Sequence, residues 1–162
     1  CYAMSDGEDK DLYQIEIIFF EHNEPQRFVA EQWPQFVGKL DTRQAVMPTE
    51  PATQKQLLND AAVSIKKSKT QRYIQQISWT QPLVDYVRST PIHLQAGNNN
   101  EEIEGVLSIK PARNIYNVNV DLIFKANNQE FRLTRDIKVK KNEIFYLDHP
   151  VFGAMVVLSP CS

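Results

Sequence analysis

Asp148-His149-Pro150 sets a carboxylate beside an imidazole, the pairing that general acid-base chemistry uses to orient and tune a histidine. Neighbouring side chains of an extended segment point to opposite sides, and Pro150 biases His149 towards such a conformation. The tripeptide therefore reads first as a structural turn, with partner contact and acid-base work as the alternatives. His22 and His93 stand in unrelated contexts, without the HxxxH or CxxC spacing of a zinc site. The chain has no glycine-rich phosphate loop, GxSxG elbow or paired-carboxylate motif, and Cys161, near the C-terminus, has no identifiable base. These residue types predict neither an enzyme nor a cofactor or metal.

Arg135 shares strand parity with Phe131, Leu133, Ile137 and Val139, where core residues are expected. A guanidinium there either finds carboxylate or carbonyl partners, as a buried pair or ligand anchor, or lies at an edge or bulge. The opposite parity carries Arg132, Thr134, Asp136, Lys138 and Lys140. With Lys125 and Lys141 these make a moderately basic patch, read as a solvated sheet face or a surface for an anionic partner. Trp33 and Trp79 are the candidates for stacking on a sugar ring. Trp79 shares parity with Tyr73 and Ile77 and fits a core, whereas Trp33 precedes Pro34 in a long loop and is more open.

The elements that must hold these residues belong to a chain of 162 residues, 42% hydrophobic and 23% charged, with a formal charge of −2. Such a chain buries roughly 70% of its unfolded surface in one domain and needs no disulfide framework. The small negative charge argues against nucleic acid as a bulk electrostatic partner. The longest apolar run, Val151 to Leu158, is far short of the ~20 residues that span a bilayer as a helix.

Residues 1–11 are acidic and aperiodic and read as a flexible leader; residues 12–162 read as one domain. Leu12 to Phe20 has the pattern of a central strand, with Tyr13, Ile15, Ile17 and Phe19 on one side. Residues 21–51, broken by four prolines, read as a long loop. Thr53 to Ser68 is the one clear helix, with Thr49 or Thr53 as cap and an apolar stripe of Leu57, Leu58, Ala61, Ala62 and Ile65. Strands follow from Tyr73, with Gln81-Pro82 ending the first, then at Pro91 to Ala96, Glu102 to Lys110, Ile115 to Lys125, Glu130 to Lys140, Ile144 to Leu147 and Ala154 to Leu158. Short turns such as Asn127-Asn128 favour antiparallel pairing. The expected class is α+β: a single domain, mainly an antiparallel β-meander sheet with one principal helix packed on one face.

Cys1 has three readings: the lipid-bearing first residue of a mature lipoprotein, the tail of a signal peptide, or a cut end of a longer chain. An exported protein also permits a Cys1 to Cys161 disulfide, which a lipid on Cys1 forbids.

The stretch Glu143 to Pro160, with Leu147-Asp-His-Pro-Val-Phe-Gly153 at its centre, resembles the terminal LDHPxFGxxVxxxP-like signature of the CsiV family of periplasmic peptidoglycan-binding proteins. Tyr13 to Phe20, Glu31-Gln-Trp33, Ser78-Trp-Thr-Gln-Pro82 and Ile103 to Ile109 resemble, in order, that family's earlier segments. The resemblance implies an exported, non-catalytic protein that associates with peptidoglycan. It also implies a link to an outer-membrane lipoprotein that activates a peptidoglycan synthase. The motif has its own physical reading: Pro150 fixes an extended approach, Gly153 allows a bend, Phe152 plugs the sheet, and Asp148 holds the turn through backbone amides.

Together these readings predict a periplasmic peptidoglycan-binding adaptor working through an envelope protein partner, with outer-membrane anchoring resting on a lipid at Cys1 alone. The alternative is a structural subunit of another envelope complex, for secretion or division, that binds no glycan. The expected glycan or partner contacts are Trp33, Trp79, Arg135, Asp148, His149 and Phe152.

Overall fold

A computed structural model describes residues 10–23, 38–98 and 100–161. In chain order the elements are β1 (Lys10–His22), α1 (Asn59–Lys67), β2 (Gln71–Val84), β3 (Ile92–Gly97), β4 (Glu101–Ala112), β5 (Ile115–Ala126), β6 (Gln129–Val139), β7 (Phe145–Asp148) and β8 (Phe152–Pro160). The strands form two four-stranded sheets, β2-β1-β8-β7 and β3-β4-β5-β6. Every strand pairing within them is antiparallel. The α+β class stands, but the expected single sheet becomes two, and only the second is a simple meander. In the first, β8 returns from the end of the chain to lie beside β1, with Ile17 opposite Val156.

Alternation explains the main core. Ile15, Ile17 and Phe19 from β1 share one buried apolar cluster with Val118, Val120, Leu122 and Phe124 from β5, so the inner faces of both sheets are sealed together. Tyr13 and Tyr116 cross this layer with their hydroxyls 2.8 Å apart. Burial and that contact raise the Tyr13 phenol well above its ordinary pKa.

A smaller cluster lies on the other face of the first sheet, where Ile18, Phe20, Met155 and Val157 meet Leu58, Ala62 and Ile65. The helix therefore packs on a sheet face, but it is shorter than its periodicity predicts, and Leu57 is left 43% exposed. The polar parity of β1 supplies the reason. Gln14 and Glu16 are fully buried. Gln14 Oε1 accepts from the N–H groups of Thr53 and Gln54 at 3.2 and 3.1 Å. Glu16 Oε1 accepts from the N–H of Leu58 at 3.0 Å. These bonds hold the approach in a non-helical path, and α1 starts at Asn59 with no side-chain cap from Thr49 or Thr53.

β2 also runs past Pro82, which pairs opposite Leu12. It is an edge strand. Thr80 N–H points outward to Glu50 O at 3.0 Å, and Pro82, two residues on, points its missing donor the same way. The turns follow their chemistry: Asn127 and Asn128 both have positive φ, 53° and 62°, as a two-residue hairpin loop requires.

Candidate functional site

The residues singled out in the sequence fall into two groups. Asp148, His149 and Phe152 gather with Arg135 where the β7–β8 turn meets β6. His149 is 4% exposed. Its Nδ1 accepts from the Val151 N–H at 3.0 Å, and its backbone N–H donates to Phe152 O at 2.9 Å. Its ring lies against Phe131 and Phe152, with centroids 5.9 and 5.1 Å away. Burial, helped by the Arg135 charge, pushes the imidazole down to about 4, and Asp148 only partly opposes this. The ring is therefore neutral at physiological pH and holds a turn. That role had been expected of Asp148, whose carboxylate instead reaches His22 Nε2 at 2.9 Å.

Phe152 is fully buried, packed on Phe124 at 5.2 Å, and plugs the space between the sheets. Gly153 is not at a bend: it sits inside β8, and a Cβ there would lie 2.8 Å from both Leu147 O and Phe20 Cζ. The glycine is required by close approach, not by conformational freedom. Arg135 stays in register opposite Val120, so there is no bulge. It is exposed at edge strand β6 and donates to Thr134 O and Asp148 O, each at 2.9 Å.

Trp79 is elsewhere and 1% exposed, with Nε1 donating to Gln81 Oε1 at 2.7 Å. Its indole belongs to the core, which corrects the expectation that it stacks on a sugar. Buried His149 and Phe152 are likewise architectural. Trp33 and Cys1 lie outside the described residues, and Cys161 is disulfide-bonded.

Two imidazoles touch carboxylates, His22 with Asp148 and His93 with Glu104, both at 2.9 Å. No hydroxyl or thiol hydrogen-bonds to either ring among the described residues. Those residues also hold no group of three or more His, Cys, Asp or Glu that could bind a metal ion.

The second concentration of polar groups covers the outer face of the β3-β4-β5-β6 sheet. Part of the expected basic patch is neutralised there, at Arg132 and Lys125. Asp121 accepts from Arg132 Nε and Nη2 at 2.9 and 2.6 Å and from Thr134 Oγ1 at 3.2 Å. Lys125 stands 3.9 Å from Glu130. Asn117 donates to Asp136 Oδ1 at 2.5 Å and takes the guanidinium of Arg88 on its own side-chain oxygen. Between these groups lies a depression of about 490 Å³ lined by the polar Ser108, Asn119, Asp121, Thr134, Arg135 and Asp136 and by the apolar Pro91, Val106 and Val120. Asn117, Asn119 and Asp121 are visible in the sequence only as the polar half of an alternating strand. Nothing in that alternation separates a recognition surface from a solvated one.

Paired antiparallel sheets with a polar outer face, and histidines committed to contacts within the fold, define a β-rich domain. The chain belongs to the CsiV family, described as peptidoglycan-binding protein, CsiV, whose family model matches residues 43–161. That span includes Ser78 to Pro82, Ile103 to Ile109 and the terminal motif, whereas Tyr13 to Phe20 and Glu31 to Trp33 precede it. The family is one of binding proteins, and its ligand points to the cell envelope. Comparison with curated proteins and with solved structures gives no match.

Proposed function

We propose that this protein is a non-catalytic peptidoglycan-binding adaptor of the periplasm, which brings an envelope protein partner to the cell wall. The observation that carries the reading is the family match across residues 43–161. The partner is of the kind that activates peptidoglycan synthesis, an outer-membrane lipoprotein. The test is co-sedimentation with purified sacculi. The protein should pellet with them at physiological salt, and retention in the supernatant while a known binder pellets would remove peptidoglycan from the proposal. Cross-linked pull-down from envelope membranes should recover the lipoprotein activator only where the protein is present.

Attachment to the outer membrane through a lipid on Cys1 is the alternative to the disulfide at Cys161, because Cys1 is the only other cysteine in the sequence. Intact mass tests it: a diacylglycerol-sized addition supports the anchor, and a two-proton deficit with no addition removes it.

A second reading, a structural subunit of another envelope complex, draws on edge strand β7. Tyr146 is 65% exposed there, beside Ile144 at 42%. An exposed edge with apolar side chains is a template for a partner strand. Recovery of a stable complex by a protein that does not pellet with sacculi would select this reading.

A further inference from the structure

We infer that the depression on the outer face of the second sheet is the subsite that takes the glycan strand, with Asn119 at its centre; this rests on the peptidoglycan-binding reading above. The sheet register sets its floor. Ser108, Asn119 and Asp136 lie opposite one another across β4, β5 and β6, and Val106, Asp121 and Thr134 form the adjacent row. Strands about 4.8 Å apart and same-face neighbours about 7 Å apart make this a platform roughly 10 Å by 7 Å, the scale of one or two pyranose rings.

The groups presented are the Thr134 hydroxyl, a carboxamide and carboxylate oxygens, with the Ser108 residue buried in the floor, the kinds of donor and acceptor that sugar hydroxyls and acetamido groups require. Their surroundings hold them in place. Asp121 is fixed by Arg132 and Thr134. Asp136 is fixed by Asn117, which Arg88 holds in turn. Asn119, exposed in the middle, carries an amide with no protein hydrogen bond among the described residues. An uncommitted donor-acceptor pair inside a rim already in position binds with little ordering cost. The same inventory disfavours other occupants. Among the described residues that line it there is no aromatic or large apolar anchor for a protein hot spot. Asp121 is paired with Arg132, and Arg135 lines the depression alongside Asp136, so the site has little net charge to hold nucleic acid phosphates or stem-peptide carboxylates and matches the uncharged N-acetylated sugar backbone.

The experiment pairs sacculus co-sedimentation with amide chemical-shift mapping, using an N-acetylglucosamine tetramer and a free stem tetrapeptide as probes. Asn119→Arg fills the depression from an exposed position, Thr134→Val removes a rim hydroxyl, and Lys141→Ala serves as a surface control. The tetramer should shift amides of β4, β5 and β6 on the outer face while the tetrapeptide does not. Asn119→Arg should weaken pelleting about tenfold, with unchanged thermal unfolding, and the control should bind as the parent does. If the parent protein pellets and Asn119→Arg pellets equally, the subsite is wrong and the peptidoglycan reading survives. If the tetrapeptide alone shifts the depression, its assignment to the glycan strand is overturned. If the parent does not pellet, the reading on which the subsite rests fails first.

Discussion

Arg135 and Asp148 meet across the seam between the two sheets: the guanidinium on edge strand β6 donates to the backbone carbonyl at the end of edge strand β7, at 2.9 Å. Sequence parity placed Arg135 on the core face, and the parity was right. The position is at a sheet edge, so the side chain leaves the apolar layer and satisfies its charge at the rim.

Because this bond is exposed, Arg135→Ala should cost only about 0.5–1.5 kcal/mol. Arg135→Lys should recover only part of that, since an ammonium lacks the planar fork that reaches two carbonyls. Urea midpoints of both variants against the parent measure it. A loss of several kcal/mol would mean that the seam depends on this one contact.

His149 predicts a pH dependence with a definite sign. Its folded pKa, near 4, lies below the ordinary value of 6.5. The unfolded chain therefore takes up a proton on this ring before the folded chain does, and stability declines as pH falls from about 6.5 to about 4. The contribution is about 2 kcal/mol at most once solvent screening is allowed for. His149→Gln, which does not titrate in that window, should flatten this part of the stability profile. Identical slopes for parent and variant between pH 6.5 and 4.5 would rule out the buried ring as their source.

Gly153→Ala should destabilise by about 1–3 kcal/mol, the usual cost of overpacking a filled site. The added carbon meets Leu147 O and the Phe20 ring, both at 2.8 Å. Combining it with Phe20→Leu should recover part of the loss relative to Phe20→Leu alone, because one of the two neighbours is then smaller. Calorimetric midpoints of the four proteins close the cycle, and strict additivity would contradict the proposed clash.

Glu16→Ala removes the buried acceptor of the Leu58 N–H and should cost about 1–3 kcal/mol. The loss should come with a weaker helical circular dichroism signal, as α1 loses the contact that sets its start. Glu16→Gln keeps a side-chain oxygen in place and should be milder. Parent-like stability and helicity in Glu16→Ala would show that the contact does not hold the helix.

Much of the fold was legible because local rules decide it. Alternation from Tyr116 to Phe124 marked the buried side of β5, Asn127-Asn128 fixed a hairpin turn, and the run around Leu147 to Gly153 carried the family signature. The candidate site was less legible. Trp79 drew attention as an aromatic surface and is core, and Phe152 plugs the sheet as its motif suggested and is too buried to be a contact, whereas the depression around Asn119 is built largely from polar residues that look like solvated positions.

The sequence by itself determined which side of each strand is apolar, where the turns fall and the family to which the chain belongs. Periodicity cannot say what covers the polar side. Glu16 and Asn119 both alternate with apolar neighbours, yet one is fully buried under the approach to a helix and the other is open. His22 and Asp148 lie 126 positions apart and still pair. Only tertiary structure decides such matters, because it alone brings β8 back beside β1 and sets two sheets face to face.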